Sequence, residues 1–230
     1  MTIKLILVSL LLFAFAGNAF SQNDDGTVAI IKKNLADSKE SIKKYEWIET
    51  TVTYLKGEEK STKQNRCYYD VTGKLTKVAT GGGTPPPKKK GGIRGKIVAN
   101  KTEDMQEYIK ECIAKIQTYL PPDAAKIQQI YGSGKVGVHI LEPGKIFKLD
   151  FPGYNQPRDM LSITVDKNKK MLNGIAVNTY LEKPDDKVSF QLSYQTLPDG
   201  TQYPGTTTLI GTEKNVKIVI QNSGYKKMAG

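Results

Sequence analysis

Apolar residues recur at helical spacing in three segments of the chain. Between residues 27 and 44 they fall at steps of three and four, with lysines on the opposite side, which predicts an amphipathic helix. A second and more regular stripe occupies residues 105–120, with Asn100 or Thr102 as the expected cap. A short third helix is expected over residues 123–131. Each of these helices has an apolar side that must be buried.

Polar and apolar residues alternate through most of the remaining chain, which predicts strands. Residues 48–54 alternate, and a turn at 56–59 leads to a second strand ending at Val71 and a third strand over 74–78. The last hundred residues add seven predicted strands. They are 136–141, 145–151, 160–166, 171–181, 187–196, 205–211 and 215–222. Short turns rich in Pro, Gly, Asp and Asn separate nearly all of them, which favours an antiparallel meander with one apolar face under the helices.

The first 21 residues are typical of an export signal. Lys4 precedes an apolar stretch over residues 5–16, and small residues allow cleavage after Ala19 or Ser21. The apolar stretch is too short to cross a bilayer, and no cysteine is available there for an acyl anchor. We therefore expect residues 22–230 to form a single α+β domain that is periplasmic or secreted. An uncleaved N-terminal anchor is the alternative.

Charge is distributed unevenly along the 230 residues. The chain has 34 Lys and Arg against 23 Asp and Glu, a formal net charge of +11, and residues 80–95 are dominated by Gly, Pro and Lys. We expect a flexible loop there. The residues predicted to meet an anionic surface are Lys88, Lys89, Lys90, Arg94 and Lys96. In an exported protein, the matching surface is a membrane or an envelope partner rather than nucleic acid, and a merely solubilising loop is the alternative.

Residues able to perform chemistry are scarce. His139 is the only histidine and has no ligand neighbour at metal-binding spacing, and the glycine-rich run at 132–137 follows a helix instead of opening one. The adjacent acidic pairs lie in turns or near the predicted N-terminus of the mature chain. We expect no enzyme activity, no cofactor and no metal. Cys67 and Cys112 form either a disulfide or two buried free thiols.

Four local runs are similar to those of uncharacterised exported bacterial proteins. They are residues 45–50, 63–69, 197–204 and 222–225. The order of helix, hairpin, central helices and long meander resembles the LolA/LolB-like lipoprotein-carrier superfamily over nearly the whole mature chain. The resemblance implies a half-barrel, that is, a curved antiparallel sheet with about three helices covering its concave face. It further implies that this apolar face holds acyl chains or an apolar segment of another protein.

Strand parity selects the residues expected to line such a site. They are Ile48, Val52, Tyr54, Leu161, Ile163, Val165, Val188, Phe190, Leu192 and Tyr194. A filled core would use the same face. The leading hypothesis is a non-enzymatic, monomeric binding protein for a lipid, an acyl chain or a lipoprotein. The alternative is a structural or adaptor protein of the cell envelope that docks on an anionic surface or partner through the basic loop.

Overall fold

A computed structural model describes residues 27–81 and 93–228. The predicted signal peptide and residues 82–92 lie outside the described residues. The helices are α1 (Thr27–Ile42), α2 (Ile93–Gln117) and α3 (Ala124–Gly132). The strands are β1 (Tyr45–Leu55), β2 (Glu58–Tyr69), β3 (Leu75–Gly81), β4 (Gly137–Glu142), β5 (Ile146–Pro152), β6 (Met160–Asp166), β7 (Met171–Tyr180), β8 (Lys187–Thr196), β9 (Gln202–Gly211) and β10 (Val216–Lys227).

All ten strands form one antiparallel, open and curved sheet. Their order is β3-β2-β1-β10-β9-β8-β7-β6-β5-β4. The chain runs outward from β1 to the edge strand β3, continues through α2 and α3, and resumes at the opposite edge with β4. The meander then returns strand by strand until β10 pairs with β1. This arrangement agrees with the predicted half-barrel and confirms the α+β class.

The hydrophobic core lies between one face of the sheet and the helices. Buried side chains of α2 and α3, among them Ile116 and Ile127, share a single cluster with strand residues such as Phe190 and Leu209. We call this side of the sheet the inner face and the other side the outer face. Burial of these alternating apolar residues is the main force that holds helices and sheet together.

Local signals place most element boundaries within two or three residues of the prediction. Asp123 caps α3 by accepting hydrogen bonds from the backbone N–H groups of Ala125 (2.8 Å) and Lys126 (3.0 Å). The turn between β4 and β5 contains Gly144 at φ +70°, a conformation that glycine adopts without strain.

Two predicted boundaries are wrong. α2 begins at Ile93, seven residues before the earlier of its two predicted caps, because its first residues continue the Gly- and Lys-rich composition that predicted a loop. β10 continues to Lys227, five residues past its predicted end, because it pairs with the start of β1 at Tyr45. Of the helices in the described part of the chain, none combines the length and apolar character needed to span a membrane.

Candidate ligand-binding site beneath the first helix

Seven of the ten predicted ligand-binding residues share the inner face. The register between neighbouring strands continues one face across β6, β7 and β8. The seven are Leu161, Ile163, Val165, Val188, Phe190, Leu192 and Tyr194. All of them belong to the core or pack against it, and five are no more than 9% exposed. In this conformation the protein itself therefore covers the predicted lining.

Ile48, Val52 and Tyr54 lie on the outer face, so their assignment to the same lining is wrong. Cross-strand partners in an antiparallel sheet share a face. Val52 pairs with Val219, which faces the side of the sheet opposite to its neighbour Ile220 in the core. Tyr54 likewise pairs with Lys217, the neighbour of the core residue Ile218. The Lys217 ammonium lies 5.7 Å from the centre of the Tyr54 ring, where the outer face meets solvent.

The inner face of β1 is instead polar. Glu49 is only 3% exposed, and both of its carboxylate oxygens accept from the Lys77 ammonium of β3, at 2.6 and 2.8 Å. Thr51 and Thr53 continue this side of the strand, since they pair with Ile220 and Ile218 of the core. The inner face therefore changes from apolar to polar where the meander meets β1.

Helix α1 covers the apolar part of the inner face at one end of the strands. It contacts β7 and β9, and its residues Ile31 and Leu35 are only partly buried where they pack against the core. Polar contacts of Asn34 and Ser38 with the sheet help to hold it there. The Asn34 amide donates to the Lys170 carbonyl (3.0 Å), and the Gln202 backbone N–H donates to the Ser38 hydroxyl (2.9 Å).

Helix α2 is held more firmly at the opposite end of the strands. The buried Tyr108 hydroxyl donates to Asp186 (2.6 Å), and the buried Tyr119 hydroxyl donates to Asp159 (2.5 Å). Burial, followed by the hydrogen bond to Asp186, raises the pKa of Tyr108 well above its ordinary value. Buried, charge-assisted hydrogen bonds of this kind fix a helix in place.

Two polar atoms at the end of the strands that α1 contacts are buried without a hydrogen-bond partner. They are the hydroxyl oxygen of Tyr194 on β8 and the side-chain carbonyl oxygen Oε1 of Gln202 on β9. The amide nitrogen of Gln202 is used, because it donates to the Leu172 carbonyl at 2.9 Å. Burial raises the pKa of Tyr194 far above that of a free tyrosine, so its hydroxyl remains a proton donor. Gln202 lies between the predicted strands 187–196 and 205–211, where no sequence signal distinguishes it.

The opposite end of the strands carries an acidic cavity of about 400 Å³ between α2 and two hairpin turns. Its carboxylates are Asp104, Glu107, Glu111, Glu182, Asp186 and Glu213. Lys183 and Lys214 also line it. A cavity with this excess of negative charge disfavours an anionic lipid head group. The end of the strands that α1 covers is therefore the better candidate for a ligand site.

The remaining predicted groups lie in separate parts of the fold. His139 is half exposed, as expected, and lies 2.9 Å from the buried Asp150. No three His, Cys, Asp or Glu side chains within residues 27–81 and 93–228 are grouped to hold a metal. Lys88, Lys89 and Lys90 lie outside the described residues, and Arg94 and Lys96 fall in the first turn of α2.

Both cysteines are free and fully buried. Cys112 of α2 packs against Gly211 of β9, whereas Cys67 lies on β2. Three strand spacings separate β2 from β9, on the order of 14 Å, which exceeds the span of a disulfide. Of the two sequence-based alternatives, the structure supports free thiols.

Comparisons with known proteins give no family for this chain. No family model matches it, and no curated protein matches its sequence. Among solved structures, a DUF1329 family protein from Desulfovibrio piger is 8% identical, with a TM-score of 0.39 over 91% of this chain and 95% of that chain. A superposition this loose supports no argument about family or ligand.

Proposed function

We propose that this protein is a non-enzymatic, exported binding protein that holds an apolar or amphipathic ligand between the inner face of the sheet and α1. A lipid, an acyl chain or the acylated end of a lipoprotein fits this description. The observation that supports the proposal is the cover itself. A half-buried helix, held in part by polar contacts of Asn34 and Ser38, lies over the apolar part of the inner face.

The energetics favour exchange of α1 for a ligand. An acyl chain gains about 0.8 kcal/mol for each methylene that it buries, which compensates for the exposure of Ile31 and Leu35 to water when the helix moves away. The polar contacts of Asn34 and Ser38 contribute about 0.5–1.5 kcal/mol each. A ligand that buries several methylenes can therefore displace the helix, and holding it requires no reacting group.

Tethering α1 tests this proposal. In the double variant Asn34→Cys/Lys170→Cys, a short bismaleimide would join α1 to the start of β7 at an existing contact. The native thiols are buried and do not compete for the reagent. We expect cis-parinaric acid, whose fluorescence rises in apolar surroundings, to bind the untethered double variant and to lose at least about tenfold in affinity after tethering.

A matched control carries the same reagent without a tether to the sheet. Lys33→Cys/Asp37→Cys places both thiols on the exposed side of α1, one helical turn apart. This cross-link should leave binding of the probe unchanged. Failure of the wild-type protein to bind the probe, or equal binding with and without the tether to β7, would contradict the proposal. The alternative role at an anionic envelope surface remains a prediction, since Lys88–Lys90 lie outside the described residues.

A further inference from the structure

The two unpartnered atoms near α1 belong to diagonal neighbours on adjacent strands. Tyr194 of β8 pairs with Pro204 of β9, two residues from Gln202. In an antiparallel pair, residues related in this way lie on one face within reach of long side chains. Tyr194 packs against the apolar core, and the backbone of Gln202 contacts Ser38 of α1. Both residues therefore lie at the end of the strands that α1 contacts.

The hydrogen-bonding capacities of the two atoms are complementary. Burial keeps the Tyr194 hydroxyl protonated, so it has a proton to donate. The orientation of the Gln202 amide is fixed, because a flipped amide would turn Oε1 toward the Leu172 carbonyl that Nε2 now contacts. Oε1 is therefore an acceptor. A free donor and a free acceptor remain, and folded proteins rarely leave such atoms buried without a partner.

We propose that Tyr194 and Gln202 bind the polar head of the ligand, an assignment that rests on the proposed function. The head accepts a hydrogen bond from the Tyr194 hydroxyl and donates one to Oε1 of Gln202. A hydroxyl, a primary amide or a protonated carboxyl can do both, whereas an ester can only accept and an alkane can do neither. The ligand class is therefore an apolar chain that ends in a neutral group with both a donor and an acceptor.

Three probes of similar chain length test this assignment: 1-octanol, methyl heptanoate and octane. Each would compete with cis-parinaric acid for the wild-type protein. We expect octanol to bind about tenfold more tightly than octane, with the ester between them, because octanol alone satisfies both buried atoms. In Tyr194→Phe, the preference for octanol over octane should fall to about threefold or less, while octane binds as before.

Stability of the ligand-free protein provides a second readout. Tyr194→Phe removes a buried hydroxyl that has no partner, so the melting temperature should rise. Tyr203→Phe is the matched control, because the Tyr203 hydroxyl already donates to Gln195 (2.7 Å). That variant should lower the melting temperature and leave the preference among the probes unchanged. A purely structural role for Tyr194 would not produce opposite changes in stability and ligand preference.

The outcomes separate this assignment from the proposed function. If no probe binds, the proposed function fails, and the assignment fails with it. If all three probes bind equally, or if Tyr194→Phe keeps the preference for octanol, the assignment is overturned while apolar binding stands. If Tyr194→Phe destabilises the ligand-free protein as Tyr203→Phe does, the hydroxyl already has a partner such as a bound water, and the assignment is likewise overturned.

Discussion

Glu49 and Lys77 form an ion pair on the inner face, with the lysine bonded to both carboxylate oxygens. The Glu49 side chain is 4% exposed and that of Lys77 is 26% exposed. Strand β2 lies between their strands, and Lys77 pairs there with the buried Cys67. A charge held so far from water is tolerated only while its partner is present.

Lys77→Met should therefore destabilise the protein by about 3 kcal/mol, because it leaves the Glu49 carboxylate buried without a counter-charge. The double variant Glu49→Gln/Lys77→Met should recover most of this loss, since no buried charge remains. Urea unfolding followed by circular dichroism measures both changes.

The ion pair between Lys33 and Asp37 on α1 is the matched control. Its side chains are 74% and 60% exposed, so Lys33→Met should change the free energy of unfolding by no more than about 0.5 kcal/mol. A loss in Lys77→Met that is equally small would mean that Glu49 is hydrated in solution.

Gly211 allows α2 to approach the sheet closely. A Cβ atom at this position would lie 2.6 Å from a ring carbon of Tyr108 and 3.0 Å from the Cys112 sulfur. The ring cannot easily move away, because its hydroxyl is bonded to Asp186. Gly211→Ala should therefore cost about 1–3 kcal/mol through overpacking. Gly132→Ala is the control, since nothing lies within 4 Å of its Cβ position, and a thermal melt that moved equally for both variants would contradict the close approach.

Local patterns in the sequence were sufficient to predict the three helices and the order of the strands in the meander. The alternation of Val188, Phe190 and Leu192 with polar residues correctly placed these side chains together on the apolar face under the helices. Such signals depend on neighbours within a few positions, so they survive without knowledge of the fold.

The face of β1 could not be predicted in the same way. Its apolar residues suggested that Val52 faces the core, yet pairing between β1 and β10 turns Thr51 and Thr53 inward. This pairing joins strands more than 150 residues apart along the chain, and a one-residue change in register exchanges the two faces. The inward Glu49 was acceptable only because Lys77, from a third strand, neutralises it.

The candidate site was predictable in part for a similar reason. Strand parity selected Tyr194 among the inward residues, but no sequence signal indicated that its hydroxyl would lack a partner. Gln202 lay between two predicted strands, and its contacts with Leu172 and Ser38 come from distant parts of the chain. Unsatisfied hydrogen-bonding capacity depends on the completed packing of the core, which residue spacing does not specify.

Asp150 should make stability depend on pH in the acidic range. Burial acts to raise the pKa of this carboxyl, but hydrogen bonds from Ser162 (2.6 Å) and Lys148 and the nearby positive charge outweigh burial and lower the pKa below its ordinary value. A lowered folded-state pKa stabilises the protein above the unfolded value of about 3.9, and this contribution is lost as pH falls through the folded value.

The comparison with Asp150→Asn isolates this contribution. We expect wild type to exceed the variant in free energy of unfolding at about pH 5, and the difference to shrink steadily toward about pH 2. Asp37→Asn, at an exposed position on α1, should show almost no difference over the same range. A gap for Asp150→Asn that stays constant down to about pH 2 would show that the carboxyl keeps an ordinary pKa in the folded protein.

Cys67 and Cys112 should react only when the protein unfolds. Burial, the largest influence, raises the pKa of each thiol to about 12, and both side chains are inaccessible. At pH 8 only about one thiol in ten thousand would be ionised, and the thiolate is the species that reacts with iodoacetamide. Native protein should therefore show no alkylation by mass spectrometry after an hour, whereas protein in urea gains two adducts.

Val71→Cys, at a fully exposed position, should gain one adduct at once in the native state. Wild-type protein that gains no adduct in urea until a reductant is added would instead contain the disulfide, and the separation of Cys67 from Cys112 described above would be wrong.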